Sequence, residues 1–248
     1  MVVERFPKPI IKVRFLHLKH SNGDIEINRI KMNTQSSSIM YTDKNEKFEF
    51  PIWDIKDFDI EKDSTSIYSQ MAYKFNGDLK EGYYVEIGAG HYKDQSNTYN
   101  LEKDHGWKGV SIDISADMTD GFNKNRSNPC LNVDALSFNW SKYLEENKFP
   151  KNINFLSIDI DSISNDYANL LALLNFPLSQ YNIGIIVIEH EAGMYYHLEK
   201  LKTLQRDILI ALGYNLILRG DNDDVWTSQA INSANGLAQI NRLFKRVL

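Results

Sequence analysis

The sequence predicts an α/β protein: a mostly parallel seven-stranded sheet with an antiparallel terminal strand, preceded by an N-terminal β-rich extension. Three observations predict it. From about residue 63 onward, apolar runs of strand length alternate with segments of helical periodicity. The last two strand-like runs, 214–219 and 224–227, are joined only by the short link 220–223. That link is too short for a parallel crossover, so the pair is antiparallel. Residues 1–62 show instead a period of two and a tight-turn signal, and they are set apart from the main domain, 63–248.

In the extension, Ile11, Val13 and Phe15 alternate with Lys12 and Arg14, which suits a half-buried strand. Asn22-Gly23 follows, a hairpin signal because both residues tolerate positive φ. Ile25, Ile27 and Ile30 lie on the return path. Phe48, Phe50, Ile52 and Trp53 around Pro51 form an apolar strap suited to crossing another element. The extension is expected to cover core surface, with substrate recognition or homodimer formation as the functional alternative.

The main domain has buried strand signals at 83–87, 110–114, 131–133, 155–160, 184–189, 214–219 and 224–227. Helical segments lie around 96–104, 140–147, 167–174 and 198–212. The last is the clearest: Leu198, Leu201, Leu204, Ile208 and Leu212 recur at three- and four-residue steps. Gly213 closes it as a left-handed cap.

Over 248 residues the formal net charge is -5, and the sequence pI is about 5.7. A general nucleic-acid or anionic-membrane binder needs a basic footprint, so both classes are disfavoured. The single cysteine, Cys130, cannot form an intrachain disulfide and is expected to be a loop or half-buried thiol. No signal-peptide pattern and no apolar run near the roughly 18 residues of a bilayer span is present, so a soluble cytoplasmic protein is expected.

The most informative segment is Gly82-Tyr83-Tyr84-Val85-Glu86-Ile87-Gly88-Ala89-Gly90: a short strand, an acid, then a Gly-x-Gly turn. Such glycines allow positive φ and let a ligand lie against bare backbone. A dinucleotide needs amide donors for its pyrophosphate, and the Glu86 carboxylate disfavours that anion. Lys93 also stands where G-x-G-x-x-G requires its third glycine. S-adenosylmethionine has no phosphate and carries a sulfonium and an ammonium, which Glu86 can serve directly or through water. The next strand ends in Asp113, placed to take both hydroxyls of a ribose. The third ends in Asp134-Ala135, an acid for an adenine amino group beside a small residue that leaves room for the ring. Each acid alone is equally well a strand end or helix cap; three on successive strands form one rim.

Tyr68-Ser69-Gln70, Gly82 to Gly90, Ser96-Asn97-Thr98 and Gly106-Trp107-Lys108-Gly109 together resemble the FkbM family of methyltransferases. The resemblance runs from about residue 64 to residue 227. It implies a Rossmann-like class I methyltransferase fold, with Gln70, Glu86, Gly88, Ala89, Gly90, Asn97, Asp113, Ile114, Asp134, Ala135 and Asp159 contacting S-adenosylmethionine. Two departures stand out. His91-Tyr92-Lys93-Asp94 replaces the acid-Gly pair common after the glycine turn, and Asp113-Ile114 replaces the usual Glu-Pro.

The fourth strand ends in Asp159-Ile160-Asp161, and the fifth in Glu189-His190-Glu191. Carboxyl ends of adjacent strands face one crevice, so these groups are expected near the methyl donor. Methyl transfer to a hydroxyl needs removal of the acceptor proton. His190, Asp161 or Asp159 suits a general base, while Asp159, Glu189 and His190 together suit Mg²⁺ or another divalent cation. Some sugar and catechol O-methyltransferases resemble this placement. Trp226, in Asn222-Asp223-Asp224-Val225-Trp226, is expected in the core. Met194-Tyr195-Tyr196-His197 is expected to pack or to line an acceptor pocket. The favoured function is O-methylation of a sugar, glycan or similar small molecule. The alternatives are a protein or nucleic-acid methyltransferase, a nicotinamide-dependent oxidoreductase, and a non-catalytic cofactor-binding protein.

Overall fold

The computed structural model describes residues 42–43, 46–47, 53–54, 67–161 and 165–228. The chain divides into two compact units, Met1–Glu49 and Phe50–Leu248. In the first, β1 (Thr42–Asp43) pairs antiparallel with β2 (Glu46–Lys47). The expected strands and Asn-Gly turn between residues 11 and 30, and Phe48, Phe50 and Ile52 of the strap, lie outside the described residues.

The second unit is built on one sheet of eight strands. These are β3 (Trp53–Asp54), β4 (Tyr83–Ile87), β5 (Lys108–Asp113), β6 (Cys130–Asn132), β7 (Asn152–Ile158), β8 (Asn182–Glu189), β9 (Tyr214–Arg219) and β10 (Asp223–Ser228). Their spatial order is β3-β9-β10-β8-β7-β4-β5-β6. All seven strands expected from the sequence are present, and the order is that of the Rossmann-like class I methyltransferase fold. Trp53 and Asp54 add a short parallel strand beside β9. Only β10 runs antiparallel, against β8 on one side and β9 on the other. The last strand in sequence therefore lies inside the sheet, because its short link to β9 lets it insert as a hairpin arm.

β4, β7 and β8 are buried almost end to end. Helices cover both faces, as a parallel sheet requires. On one face Val85, Ile87, Leu156, Ile158, Ile186 and Ile188 meet residues of α4 (Trp140–Glu146), α5 (Ala168–Asn175) and α6 (Glu199–Ala211). On the other, Tyr84, Phe155, Ile185 and Val187 meet α1 (Ile67–Phe75) and α2 (Tyr99–His105). The strand period of two sorts these residues between faces.

Two helices were not foreseen. α1 buries Tyr68, Met71, Ala72 and Phe75, a legible three- and four-residue spacing. α3 (Ala116–Asn125) buries only Thr119 and Phe122 and is fixed by its cap: Ser115 Oγ accepts from the Met118 amide at 3.4 Å. In α6 the expected apolar stripe is displaced. Leu209 and the polar Gln205 are buried, whereas Leu212 is 39% exposed. Gly213 takes the predicted left-handed conformation, φ 86°. Among the described residues, no helix is long and apolar enough to cross a membrane.

From β4 the chain steps to β5 and β6 on one side of the sheet, then returns to β7 and β8 on the other. The carboxyl ends of β4 and β7 therefore flank the point where winding reverses, the position at which open α/β sheets form a crevice.

Candidate active site

The turn after β4 occupies this crevice. Gly88 has φ 84°, and a side chain there would place its Cβ 1.8 Å from the Asp159 carbonyl oxygen. Only glycine allows the turn to rest on the end of β7. The Gly88 and Ala89 amides both donate to the Ile112 carbonyl at 3.0 Å. Gly90 has φ 54°, and its missing Cβ would meet nothing within 4 Å. Its backbone thus lines open space.

Beside it, Asp113 accepts from the Gly90 amide (2.8 Å) with one oxygen and from the Ser115 amide (2.7 Å) with the other. Each oxygen keeps a lone pair for a further donor. Asn132 Nδ2 donates to the carbonyls of Asp113 (3.2 Å) and Ile114 (2.9 Å), which fixes this strand end. Ile114 is 74% exposed. Ala135 is buried next to the exposed Asp134, whose carboxylate accepts from the Leu136 amide (2.9 Å) and Ser137 Oγ (3.3 Å).

Glu86 departs from its expected place, for its carboxylate does not reach the crevice surface. At 2% exposure, it accepts from Ser96 Oγ (3.2 Å), Thr98 Oγ1 (2.8 Å) and Ser111 Oγ (2.7 Å). Burial pushes it above the usual carboxylate range, opposed by the charge of Arg126 and by these hydroxyls. Strand alternation is the reason: Glu86 shares a face with Tyr84, under α2, while Val85 and Ile87 take the other. Asn97 is likewise internal, with its Nδ2 donating to Ser157 Oγ at 2.9 Å and its carbonyl accepting from Ser69 Oγ at 2.8 Å. Gln70 is on the exposed side of α1. Trp107 is buried and Gly109 serves packing, since a Cβ there would fall 2.5 Å from the Tyr84 ring, while Gly106 closes α2 in the left-handed conformation, φ 69°.

The centre of this network is Arg126, whose side chain is fully buried. It donates to Glu102 (2.7 Å), Tyr84 Oη (3.1 Å), Thr98 Oγ1 (3.1 Å), the Tyr92 carbonyl (3.1 Å) and Ser96 Oγ (3.4 Å). Its guanidinium lies over the Phe122 ring, 4.4 Å from the centroid. Glu102 also accepts from the Ser127 amide (2.7 Å) and Asn128 (3.1 Å). Burial would raise the Glu102 carboxyl, but Ser127 and Arg126 hold it below its ordinary value. One cation thus fastens the whole segment 92–98 beneath the glycine turn.

On the β7 side, carboxyls gather with far less compensation. Asp159 and Glu189 hydrogen-bond to each other; burial drives both upward, helped at Glu189 by the charges of Asp159 and Asp223 and at Asp159 by those of Asp161 and Glu86, while the bond from Glu189 pulls Asp159 back down. Asp223 stands opposite Glu189 in the β10–β8 register and accepts from Tyr68 Oη at 3.1 Å. Burial, reinforced by the charge of Asp159, pushes Asp223 up to about 7. Asn169 Nδ2 donates to Glu189 (3.3 Å), and Gln205 Nε2 to the Glu189 carbonyl (3.2 Å). That bond explains the polar residue on the buried side of α6. Asp161 is exposed at the rim.

His190 is turned away from this cluster. Its side chain is fully buried; Nδ1 accepts from the Ala192 amide at 3.1 Å, and Nε2 faces Asp224 at 3.7 Å. Asp224 is clasped by Arg206 at 2.6 and 2.8 Å. Successive residues at a strand end project to opposite sides, so Glu189 and His190 do not join Asp159 as one donor set. Among the described residues, no group of three or more His, Cys, Asp or Glu is arranged to hold a metal ion. The expected Asp159–Glu189–His190 metal set is therefore not formed. Trp226 is fully buried, as expected. Cys130 is more deeply buried than expected, and burial pushes its thiol up to about 12, which makes it inert.

Tyr68 and Asp223 were inside segments singled out in the sequence, but only as parts of a motif. Asn169, Gln205 and Arg126 carried no local signal, because their partners are brought to them by strand pairing and helix packing.

No family model and no curated protein matches the chain. Solved structures that resemble part of the chain include three methyltransferases. A SAM-dependent methyltransferase from Archaeoglobus fulgidus is 17% identical, with 63% of this chain and 88% of that chain covered, at a TM-score of 0.42. An O-methyltransferase from Bacillus cereus in complex with SAH is 14% identical over 68% and 81%, at 0.43. An N-methyltransferase from Bradyrhizobium japonicum WM9 is 11% identical over 64% and 91%, at 0.41.

Proposed function

We propose that the chain is an S-adenosylmethionine-dependent methyltransferase of FkbM-like type that methylates a hydroxyl of a sugar or similar small molecule. The observation that carries this reading is the seat of the glycine turn on the Asp159 backbone. Gly90 and Asp113, joined by a hydrogen bond, follow or close β4 and β5, and Asp159 and Glu189 follow or close β7 and β8, so the strand ends around the crevice carry all four.

The residues present fit the cofactor. Gly90 leaves its backbone bare, Asp113 keeps acceptor capacity for a ribose diol, and the exposed Ile114 offers an apolar seat for a flat base. When bound, S-adenosylmethionine supplies an electrophilic methyl group on a sulfonium. Glu86 contributes from below by fixing Ser96 and Thr98. Asp159 serves as the base: burial and the charges of Asp161 and Glu86 raise its affinity for the acceptor's hydroxyl proton. Asn169 and Gln205 hold the Glu189 end of the pair. His190 acts through Asp224 and the β8 loop rather than on the acceptor.

Thermal shift of the full chain with S-adenosylhomocysteine and with NAD tests the reading. The first is expected to stabilise and the second to leave the melting temperature unchanged; the reverse pattern would replace a methyltransferase with an oxidoreductase. Asp113→Ala removes charge-assisted bonds worth about 1.5–3 kcal/mol, so calorimetry should show S-adenosylhomocysteine binding roughly 10- to 100-fold weaker.

A further inference from the structure

We infer that the segment after β8, residues 191–198, is the acceptor-recognition element, and that Tyr195 and Tyr196 form the platform on which a pyranose ring lies. This rests on the methyl-transfer reading of the adjoining carboxyls. Three consecutive side chains here face water: Met194 is 56% exposed, Tyr195 48% and Tyr196 89%. Ala192 and Leu198 on either side are buried, so both ends of the segment are anchored.

The anchoring is specific. The His190 and Glu191 amides donate to the Asn222 carbonyl at 2.6 and 3.1 Å. Gly193 lies so close to the β9–β10 link that a Cβ would fall 2.5 Å from the Asp221 carbonyl oxygen. Within the segment, the Tyr195 amide donates to the Glu191 carbonyl (2.9 Å), and the Leu198 amide to the Tyr195 carbonyl (2.9 Å). His197 Nε2 reaches Asp166 at 3.2 Å, which ties the segment to the chain that follows β7. The exposed aromatic tip is thus carried on a segment that leaves β8, rests on the β9–β10 link and is tied through His197 to the chain that follows β7. Leaving a large apolar side chain in water forgoes about 1.5–3 kcal/mol of burial, and a contiguous exposed group of them marks a contact surface.

The neighbouring charges select the occupant. Asp161 is exposed at the rim, with Asp159, Glu189 and Asp223 below. Such a field repels phosphates and acidic polymers. It favours a neutral polyol, whose hydroxyls donate to carboxylates while its C–H face rests on an aromatic ring. Tyrosine supplies that surface with little rotamer entropy to lose.

The test uses the full chain saturated with S-adenosylhomocysteine and saturation-transfer NMR on methyl α-glucopyranoside, methyl α-mannopyranoside and methyl α-rhamnopyranoside, with catechol as a planar control. At least one glycoside is expected to receive saturation at its ring protons. Tyr196→Ala should weaken that binding about two- to tenfold, the range of an aromatic contact, and Tyr196→Phe should restore it. S-adenosylhomocysteine affinity should stay within about twofold in both variants, which also reports that they are folded. Binding of S-adenosylhomocysteine with no glycoside signal, with catechol alone, or with glycoside binding unchanged in Tyr196→Ala would overturn the platform and leave the methyl-transfer reading standing. Failure of S-adenosylhomocysteine to bind would remove both.

Discussion

Two buried carboxylate centres occupy neighbouring parts of one sheet, and they are compensated in opposite ways. Under β4 and β5, Glu86 and Glu102 are met by Arg126, four hydroxyls, a backbone amide and Asn128. At the ends of β7, β8 and β10, Asp159, Glu189 and Asp223 have each other, Tyr68 and Asn169. Among the described residues, the nearby guanidinium of Arg206 is committed to Asp224 instead. The first centre gains rigidity from complete pairing. The second keeps acids that burial and one another's charges hold above the usual carboxylate range, the kind of cluster that qualifies as a candidate functional site.

Removing the cation should break the first centre. Arg126→Met strands Glu102 and is expected to cost about 3–5 kcal/mol, the range for removing one partner of a buried pair. Urea unfolding measures it; a loss below about 1 kcal/mol, the scale of a surface pair, would show that the network is not carried by this charge.

The second centre should answer oppositely. Asp159→Asn is expected to lower turnover about 10²- to 10⁴-fold, the range for a general base. It should leave stability equal or higher, because a repelled buried charge has gone. Single-turnover methyl transfer alongside urea melts would separate the two effects, and equal loss of both would merge the centres into one structural unit.

The smallest effect is a pH slope. Asp223 titrates from about 4 when unfolded and up to about 7 when folded. Between these values the folded state binds more protons, so stability falls as pH rises through that window and is flat above it. Asp223→Asn should flatten part of the slope. An unchanged profile would mean that Asp223 is already neutralised by its surroundings.

Much of this organisation was legible in the chain. The Gly88–Gly90 turn, Asp113 before an apolar residue, and the acids closing the fourth and fifth strands all sit at or just past strand ends, as the pattern predicts. Glu86 departs from its expected role because its position in the β4 alternation turns it beneath α2, away from the strand-end rim. His190 was misplaced for a related reason: one residue beyond Glu189, it projects to the other side.

The sequence by itself determined the strands, the glycine turn and the acid-rich strand ends, because these depend on local periodicity and on φ values available to few residues. Tertiary structure alone decided which acids are compensated. Arg126 reaches Glu102 and the turn segment only once α2 and α3 have docked, and Tyr68 meets Asp223 across 155 residues of chain. Such pairings follow from the order in which strands assemble, and no short window of sequence contains that order.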